Sequence, residues 1–594
     1  MSANQELSRI FGEIASALEL LGANRFRINA HTRVARVLDD MTEDVAVLVE
    51  DAGAKAVSRL TEFSGIGKGT AEKIVEYLET GQVSDHQELL EKVPPGVFEL
   101  LEIPGIGPKA AKAMWDDLGI ASVADLEAKL DSPELRALPR MGAKTIDNIR
   151  KAIEFNKKAG DRLPIGLARP IALDLQETLR QVPGVRRVDY AGSLRRGRET
   201  IGDLDFLVAT DDSAAVRDTF TTLPAVTQVL AHGETKCSVR LEVGKVVIQA
   251  DLRVVPAEAY GAALMYFTGS KEHNIRMREI AIKQGKRLNE YGLFEGTDER
   301  PQDAGTAPLA AVEEVDIYAD LGLPFIAPER REDRGEFEAA RDFDAGADGE
   351  PLLEVSDIRS ELHSHTVASD GKHSIEEMAE FAKSRGFHTL AITDHSVSQP
   401  IANGLDADRL RQHIDAVREA NARIDGITLM AGSEVDILAD GSLDYDDDLL
   451  AELDVVVASP HLALKQDPET ATARLLAAIR HPLVHIIGHP TGRIINRREG
   501  LSPDMAALID AAVEHDTALE LNANWHRLDL RDSHLISALA KGCKIAIDTD
   551  AHREGHFDFL VYGVLTARRA GMTARSCINT WPADELHAWL RSKR

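Results

Sequence analysis

The sequence predicts a multidomain protein in which a helical region is followed by an α+β region and then by an α/β region built on a parallel sheet or barrel. Up to about residue 155, apolar residues recur at three- and four-residue spacing with few β-branched runs, a pattern typical of helices. Strand-like runs alternate with helical segments at about 165–325, and apolar runs recur between helical segments from about 356 onward. A chain of 594 residues has room for about four domains.

Composition and charge argue against several classes of protein. The chain has 69 basic and 98 acidic residues, a formal net charge of −29, so we expect only a locally basic region to bind nucleic acid. Its three cysteines lie far apart, which argues against a disulfide framework or a thiolate zinc site and fits a reducing compartment. There is no apolar signal core, and no stretch approaches the roughly 18 apolar residues of a membrane span. We expect a cytoplasmic, nucleoid-associated protein without a membrane partner.

Glycine-containing turns recur in the helical region. SGIGKG at 64–69 precedes TAEKIVEYL, IPGIGP at 103–108 precedes KAAKAMWDDLGI, and LPRMGA at 138–143 is a degenerate third copy. The glycines permit backbone conformations closed to other residues, and the helix that follows presents free N–H groups and its positive dipole end. One such turn is usually a plain helical hairpin, but three copies favour seats for backbone phosphates. The residues predicted to form these phosphate seats are Gly65, Gly67, Gly105 and Gly107.

These turns resemble helix-hairpin-helix motifs, which hold DNA backbones. The third copy has a single glycine, so a purely structural role stays open for it. The stretch after the first turn resembles the lyase domain of family X DNA polymerases, in which the lysine matching Lys73 attacks an abasic sugar as a Schiff-base amine. A phosphate-contacting or solvated Lys73 is the alternative.

Paired carboxylates mark the middle region. GSLRRG at 192–197 is followed by GDLDFLV at 202–208, and residues two apart on a strand share a face, so Asp203 and Asp205 lie side by side. Adjacent carboxylates repel one another and favour a hard cation such as Mg²⁺, and Asp251 in another strand-like run supplies a third ligand. Three carboxylates can hold two metal ions, one activating an attacking hydroxyl and one holding the leaving phosphates of a nucleotide. An isolated DxD is usually structural, but the upstream GS and arginine pair favour catalysis.

The longer pattern identifies a family. GS followed by a basic pair and GDxD is the signature of the nucleotidyltransferase fold, and YFTGS at 266–270, Asn274, Arg278 and NEY at 289–291 extend it. Together these motifs resemble family X DNA polymerases, the group that contains DNA polymerase beta.

That resemblance implies a role for each matched residue. It implies a dNTP substrate and two Mg²⁺ or Mn²⁺ ions on Asp203, Asp205 and Asp251, which are then the catalytic residues. The implied nucleotide contacts are Gly192, Ser193 and Arg196 for the triphosphate, Tyr266 and Phe267 for the sugar and the rejection of ribose, Gly269, and Asn274 for the base edge. Arg278 is implied to contact the template. Lys271 departs from the polymerase beta pattern, which has an acidic residue there, and a lysine can reach the triphosphate instead.

A run of basic residues leads into this catalytic region. A basic face there would neutralise template phosphates, so DNA binding is expected to weaken steeply with salt. A solvated helix surface is the alternative. The residues of the run are Arg140, Lys144, Arg150, Lys151, Lys157, Lys158, Arg162 and Arg169.

The last region carries histidines and carboxylates at the ends of apolar, strand-like runs. LHSH at 362–365 places two imidazoles on one face of a strand, and ligand sites gather at the carboxyl ends of strands in α/β folds. Imidazole and carboxylate without thiolate suit Mn²⁺, Zn²⁺ or Fe in a cluster that hydrolyses phosphoesters with a bridging water. The nine candidate ligands are His363, His365, Asp370, His395, Glu434, His461, His489, Asp550 and His552.

The order of these ligands resembles the polymerase-and-histidinol-phosphatase (PHP) domain. That resemblance implies a distorted (β/α)₇ barrel with a trinuclear site, and all nine expected ligands are present. Some PHP domains attached to polymerases have lost ligands and serve only as scaffolds. A noncatalytic scaffold is therefore the alternative to a nuclease.

The resemblances cover nearly the whole chain and give an expected division into domains. The fold class is an all-α helix-hairpin-helix N-terminal region, an α+β nucleotidyltransferase core and a C-terminal PHP-type barrel. The expected domains are a helical lyase-like domain at 1–85, a fingers-like domain at 86–160, a palm at 161–258, a thumb-like domain at 259–327, an acidic linker at 328–355 and the PHP domain at 356–594.

The implied function is DNA repair. The expected enzyme fills short gaps by template-directed dNTP addition, and its PHP domain acts at 3′ ends as a 3′→5′ exonuclease, a 3′-phosphatase or a nuclease at abasic sites. The expected partners are gapped or primer–template DNA and dNTPs, and we expect a monomer. A nucleotidyltransferase acting on an RNA acceptor is the alternative.

Overall fold

The computed structural model describes residues 3–339 and 351–593, except residues 42–44, 64, 95, 102, 104–105, 140, 143–144, 148, 151–152, 154–161, 245, 297, 299 and 401. The chain divides into two compact units, Met1–Gly160 and Asp161–Arg594. None of the described helices combines the length and apolar character that crossing a membrane requires.

The described part of the first unit is helical. In the first helix, Ala3–Leu20, the residues Leu7, Phe11 and Ile14 follow the three- and four-residue spacing of one helix face and are all buried. Asn24 caps α2 by accepting the backbone N–H of Phe26 at 2.8 Å. The helices are α1 (Ala3–Leu20), α2 (Arg25–Asp40), α3 (Val45–Ala52), α4 (Ala56–Leu60), α5 (Lys68–Thr80), α6 (Ser84–Lys92), α7 (Gly96–Leu101), α8 (Pro108–Leu118), α9 (Val123–Lys129) and α10 (Pro133–Ala137).

The second unit opens with a five-stranded mixed sheet of order β2-β4-β7-β6-β5. Only β4 and β7 run parallel to one another, and the other neighbours are antiparallel. The strands are β1 (Leu163–Pro164), β2 (Val185–Tyr190), β3 (Thr200–Ile201), β4 (Asp203–Thr210), β5 (Val226–His232), β6 (Lys236–Val243) and β7 (Val246–Val254), where β1 pairs only with β3. The helices of this part are α11 (Ile165–Arg180), α12 (Gly192–Arg195) and α13 (Ser213–Thr221).

A smaller α+β segment follows the sheet. Its core includes Met265, Met277, Leu293 and Tyr318, all buried. The elements are α14 (Tyr260–Thr268), α15 (Lys271–Lys283), the hairpin of β8 (Lys286–Asn289) and β9 (Gly292–Glu295), and α16 (Glu314–Asp320).

The first part of the predicted acidic linker is packed rather than free. Arg331 is fully buried and pairs with Glu314 at 2.6 Å. Glu336, in α17 (Glu336–Ala339), lies 2.9 Å from His273, whose ring stacks on Phe337. The composition of the segment indicated a linker because large apolar residues are scarce, but buried ion pairs and one phenylalanine anchor it. Residues 340–350 lie outside the described residues.

Seven parallel strands form the last part of the chain in sequential order, β10 to β16. Ser364, after β10, bridges Ala551, after β16, so the sheet curls toward closure. The strands are β10 (Ser360–Glu361), β11 (Thr389–Ile392), β12 (Thr428–Asp436), β13 (Val455–Ser459), β14 (Ile486–Ile487), β15 (Ala518–Asn522) and β16 (Ile545–Asp548). The helices are α18 (Ile375–Ser384), α19 (Ala407–Arg423), α20 (Asp447–Leu450), α21 (Pro468–Ile479), α22 (Met505–Glu514), α23 (Asp532–Ala540), α24 (Leu560–Ala570) and α25 (Ala583–Ser592).

The barrel and the five-stranded sheet share part of one hydrophobic core. Ile495, Leu528 and Tyr562 of the barrel belong to the cluster that lines the sheet. Arg493 of the barrel also pairs with Glu199 at 2.7 Å. The two parts of the second unit are therefore packed together.

We expect Gly166→Ala to weaken this packing. A Cβ at Gly166, in α11, would lie 2.1 Å from ring atoms of Trp525. The overlap should cost about 1–3 kcal/mol of unfolding free energy, although alanine normally favours a helix. Gly12→Ala, in α1 with no atom within 4 Å of the new Cβ, is the control and should be neutral or stabilising. Denaturant unfolding measures both variants, and equal effects would contradict the prediction.

Two candidate active sites

The first site lies where β4 and β7 run side by side. The register pairs Asp205 with Asp251, and Asp203 stands two residues before Asp205, so the three carboxylates share one face of the sheet. Gln249 Nε2 donates to Asp251 Oδ1 at 3.1 Å. Lys236 Nζ, from β6, lies 2.6 Å from Asp251 Oδ2.

The electrostatics of these aspartates fit a cation. Burial, with the charges of Asp203 and Asp251, raises the pKa of Asp205 to about 7. Burial and the charge of Asp251 also raise the pKa of Asp203. A divalent ion would neutralise the negative charge that these neighbouring aspartates bring together. Among the described residues, the ligand atoms of these three aspartates do not all lie within 4.8 Å of one another, and Asp251 is instead paired with Lys236.

The GSLRRG motif lies against the aspartates. Gly192 has a φ of +62°, and a Cβ there would lie 2.2 Å from Asp205 Oδ2, so only glycine fits. The buried Ser193 Oγ has no hydrogen-bond partner among the described residues. Arg196 donates from Nε to Glu332 Oε1 at 3.0 Å and from Nη1 to the carbonyl of Thr268.

The YFTGS motif ends α14 beside Arg196. The rings of Tyr266 and Phe267 pack edge to face at 5.1 Å. Asn274 Nδ2 donates to the Tyr266 carbonyl at 2.6 Å, which leaves the buried Asn274 Oδ1 without a partner in the described part of the chain. Arg278 Nε donates to the Asn274 carbonyl at 3.2 Å.

Gly269 and Lys271 flank the start of the next helix. Gly269 has a φ of +72°, and a Cβ there would lie 3.2 Å from Arg196 Nη1. The structure therefore brings Gly269 to Arg196. Lys271 is exposed at the first residue of α15.

In the first unit, the glycine turns begin helices as the sequence predicts. Gly65 has a φ of +107° and packs against Arg33, and Gly67 precedes α5 and donates its N–H to Thr70 Oγ1 at 3.0 Å. Gly107 precedes α8, which begins with Pro108. Gly105 lies outside the described residues, and the third turn is described only in part.

Lys73 lies on α5 and is held by an acidic neighbour. Its Nζ is 3.2 Å from Asp85 Oδ2 and donates to the Gly69 carbonyl at 3.3 Å.

Of the basic run that leads into the catalytic region, Arg150 pairs with Asp131 at 2.6 Å and Arg162 donates to the Thr200 carbonyl at 2.6 Å. Arg169 is also described, on α11, whereas Arg140, Lys144, Lys151, Lys157 and Lys158 lie outside the described residues.

The second site is a cluster at the carboxyl ends of the barrel strands, where all nine candidate ligands meet. Three groups have ligand atoms that lie within 4.8 Å of one another: His365, Asp370, His395 and His552; His363, His365 and Asp550; and His395, Glu434 and His461. His489 joins them through Glu434, at 2.9 Å from Nε2 to Oε1. His363 and His365 follow β10 rather than lying within it.

The cluster fits metal ions. Its buried ring nitrogens and carboxylate oxygens face one another at short distances, 2.8 Å from His395 Nδ1 to Glu434 Oε2 and 3.1 Å from His365 Nε2 to Asp550 Oδ1, without forming well-aligned hydrogen bonds. Buried polar atoms that converge in this way without good hydrogen bonds are costly unless they bind a ligand. Burial and the neighbouring His552 and His395 lower the pKa of His365 to about 4, which keeps its imidazole neutral and able to bind a cation.

Two carboxylates that were not predicted from the sequence contact candidate ligand histidines through the ring nitrogens that point away from the cluster. Glu520 Oε1 lies 2.7 Å from His363 Nδ1, and Asp436 Oδ1 lies 3.0 Å from His461 Nδ1. Both are buried, and each fixes a histidine so that its other nitrogen faces the cluster. Glu520 stands inside the strand-like run TALELNA, and a buried acid in such a run is the signal that could have revealed it.

We expect Glu520→Gln to lower 3′-end hydrolysis by about 10- to 100-fold, because the amide orients His363 less firmly and makes it less basic. Primer extension should stay unchanged, since Glu520 lies in the barrel. Rates of both reactions on one labelled primer–template measure this. Unchanged hydrolysis would contradict the role given to Glu520.

Comparison with known proteins decides the family. The DNA polymerase/3′-5′ exonuclease PolX of Bacillus subtilis is 38% identical over 588 residues, which span 99% of each chain. The chain belongs to the PolX family. A DNA polymerase lambda of Arabidopsis thaliana is 26% identical over 55% of this chain and 62% of its own length. A probable phosphatase of a Thermoanaerobacter species is 29% identical over 39% of this chain and 95% of its own length.

Family models match four segments of the chain. A helix-hairpin-helix domain matches residues 2–83, and a SAM-like helix-hairpin-helix tandem matches 97–154. The DNA polymerase beta thumb matches 263–332, and the PHP domain matches 361–524. With the seven parallel strands, these matches confirm the predicted fold class. The thumb match reaches residue 332 and so includes the start of the segment predicted as a linker.

Proposed function

We propose that the chain is a DNA repair enzyme that extends the 3′ ends of gapped DNA with dNTPs and removes nucleotides from 3′ ends in its barrel. One observation carries this proposal: a chain with both an aspartate face and a complete nine-residue cluster matches, over 99% of its length, a relative named for both activities. The two sites then serve one task, the trimming and refilling of a damaged end. A 3′-phosphatase or abasic-site activity of the barrel is compatible with the same residues.

In the polymerase site, we assign each predicted residue a role that fits its contacts in the structure. Asp203, Asp205 and Asp251 would hold two Mg²⁺ or Mn²⁺ ions, and Ser193 and Arg196 would bind the triphosphate. The backbone around Gly192 lets this loop approach the carboxylates. The further nucleotide contacts proposed are Tyr266, Phe267, Gly269 and Asn274, and Arg278 is proposed to meet the template.

In the barrel, the nine ligands would hold up to three Mn²⁺, Zn²⁺ or Fe ions. When bound, divalent ions neutralise phosphate charge at both sites and favour the deprotonated form of the attacking hydroxyl or water. The chain supplies the fixed ligand positions through Glu520 and Asp436.

The remaining proposals concern domains and partners. We propose the division expected from the sequence, with residues 328–339 assigned to the thumb-like domain instead of a linker. The enzyme acts as a monomer on gapped DNA, which the turns at Gly65, Gly67, Gly105 and Gly107 bind through phosphates. Because Lys73 is paired with Asp85, a binding or structural role for it is favoured over a Schiff-base nucleophile.

Extension of a primer on gapped DNA with dNTPs or with rNTPs, in Mn²⁺, tests the polymerase proposal. Packing of the Tyr266–Phe267 pair on the sugar should favour dNTPs by about 100-fold in kcat/KM. A matched RNA primer without a template is the control and should not be extended. Equal use of rNTPs, or extension of the untemplated RNA, would favour the alternative of an RNA nucleotidyltransferase.

A further inference from the structure

A chain of ion pairs joins the barrel to the arginine that the proposed function places on the triphosphate. Arg196 Nε donates to Glu332 Oε1 at 3.0 Å. Arg569 Nη1, from α24 of the barrel, donates to the same oxygen at 2.9 Å and to the carbonyl of Arg196 at 2.7 Å. One barrel residue therefore holds both the backbone of Arg196 and the carboxylate that binds its side chain.

Arg569 is itself firmly held. Its side chain is 4% exposed, and its Nε donates to Asp532 Oδ2 at 2.8 Å. Asp532 also accepts from Arg334 at 3.0 Å. Against the effect of burial, the charges of Arg569 and Arg196 lower the pKa of Glu332 to about 2, so the carboxylate linking the two arginines stays ionised.

These contacts leave part of the Arg196 guanidinium free for a ligand. Nε is bound to Glu332, and Nη1 is bound to the carbonyl of Thr268. Nη2 has no hydrogen-bond partner in the described part of the chain. A planar guanidinium fixed at two nitrogens presents the third in a defined direction, and it loses little further freedom when an anionic oxygen binds.

We propose that Arg569, acting through Glu332, is a positioning residue of the polymerase site, so that the barrel completes the binding site for the dNTP triphosphate. The inference rests on the proposed function of Arg196. It gives the barrel a second task, which is independent of its own metal ligands.

The neighbouring Arg568 provides a matched control. It lies on the same helix and also leaves the barrel, pairing with Glu329 at 2.8 Å and Glu354 at 2.6 Å. Its side chain, like that of Arg569, is mostly buried, but none of its described contacts reaches Arg196. A purely structural effect of losing an ion pair should therefore appear in both variants.

The test measures kcat and KM for a dNTP in primer extension, together with 3′-end removal on the same DNA without dNTPs. Arg569→Met and Glu332→Gln should each raise KM about tenfold, the loss expected for a hydrogen bond to a charged group. Their kcat and their 3′-end removal should stay within about twofold of wild type. Arg568→Met should change neither constant. If Arg569→Met does not fold, Glu332→Gln, which keeps the shape of the side chain, decides.

A double-mutant cycle shows whether the effect passes through Arg196. In an Arg196→Met background, Arg569→Met should raise KM no further. The inference is overturned if Arg569→Met and Glu332→Gln leave KM unchanged, if both arginine variants raise it equally, or if the effects of Arg569→Met and Arg196→Met add. A lower KM in Glu332→Gln would also overturn it, because Glu332 would then compete with the triphosphate. A wild-type protein that fails to extend any primer would instead contradict the proposed function.

Discussion

Asp205→Asn is expected to lower primer extension by about a thousandfold or more, which corresponds to about 4 kcal/mol in the barrier. Asp205 is half-buried beside Asp203 and Asp251, and its carboxylate lies against Gly192. Replacing it with an amide removes one proposed metal ligand and half of the negative charge of the Asp203–Asp205 pair. The rate of dNTP addition to a recessed primer measures the loss, and 3′-end removal should be unchanged.

Asp211→Asn is the matched control. Asp211 directly follows β4, is exposed and pairs with Arg186 at 2.6 Å. The same chemical change there should leave extension within about twofold of wild type, as is usual for exposed ion pairs. Extension that survives in Asp205→Asn, or is lost equally in Asp211→Asn, would contradict the assignment of the polymerase site.

His365→Ala is expected to abolish 3′-end removal, by about a thousandfold or more, and to leave extension intact. His365 belongs to two of the three groups that could hold a metal ion, so its loss should weaken two proposed metal positions at once. Bound metal, measured by mass spectrometry of the purified protein, should fall together with hydrolysis.

His481→Ala controls for the loss of a histidine from the barrel. His481 lies 3.1 Å from Asp447 and belongs to none of the three ligand groups. It should leave metal content and hydrolysis unchanged. If His365→Ala retains both its metal content and its 3′-end hydrolysis, the barrel is a scaffold, and the proposed nuclease activity is wrong.

Much of the fold was predictable because its motifs are local. The spacing of Asp203 and Asp205 defines a strand face, and the apolar runs before His395, His461 and His489 define parallel strands that bring distant ligands to one edge. Gly192 was predicted only through the family resemblance, as a backbone contact of the triphosphate, and its place beside Asp205 explains why the smallest side chain is required there. In these cases the spacing or type of one or two residues is enough to predict which side chains lie together.

What the sequence did not reveal depends on contacts between distant segments. Lys236 meets Asp251 only because β6 lies beside β7, and Glu520 meets His363 only through the closure of the barrel. The segment at 328–339 resembles a linker in composition, yet Arg331 and Glu332 are buried by partners more than a dozen residues away. Charge pairing between distant segments leaves no local pattern, so composition alone predicted a linker where Arg331 and Glu332 are packed.

The proposed function requires one chain to hold two independent active sites that act in sequence at a 3′ end. The most direct measurement uses a gapped DNA whose primer ends in a dideoxynucleotide, incubated with dNTPs and Mn²⁺. The wild type should remove the terminator and then extend the primer, Asp205→Asn should only shorten it, and His365→Ala should leave it unchanged. A mixture of the two variants should restore extension. If His365→Ala extends this primer, or if Asp205→Asn leaves it intact, the two-site account is contradicted.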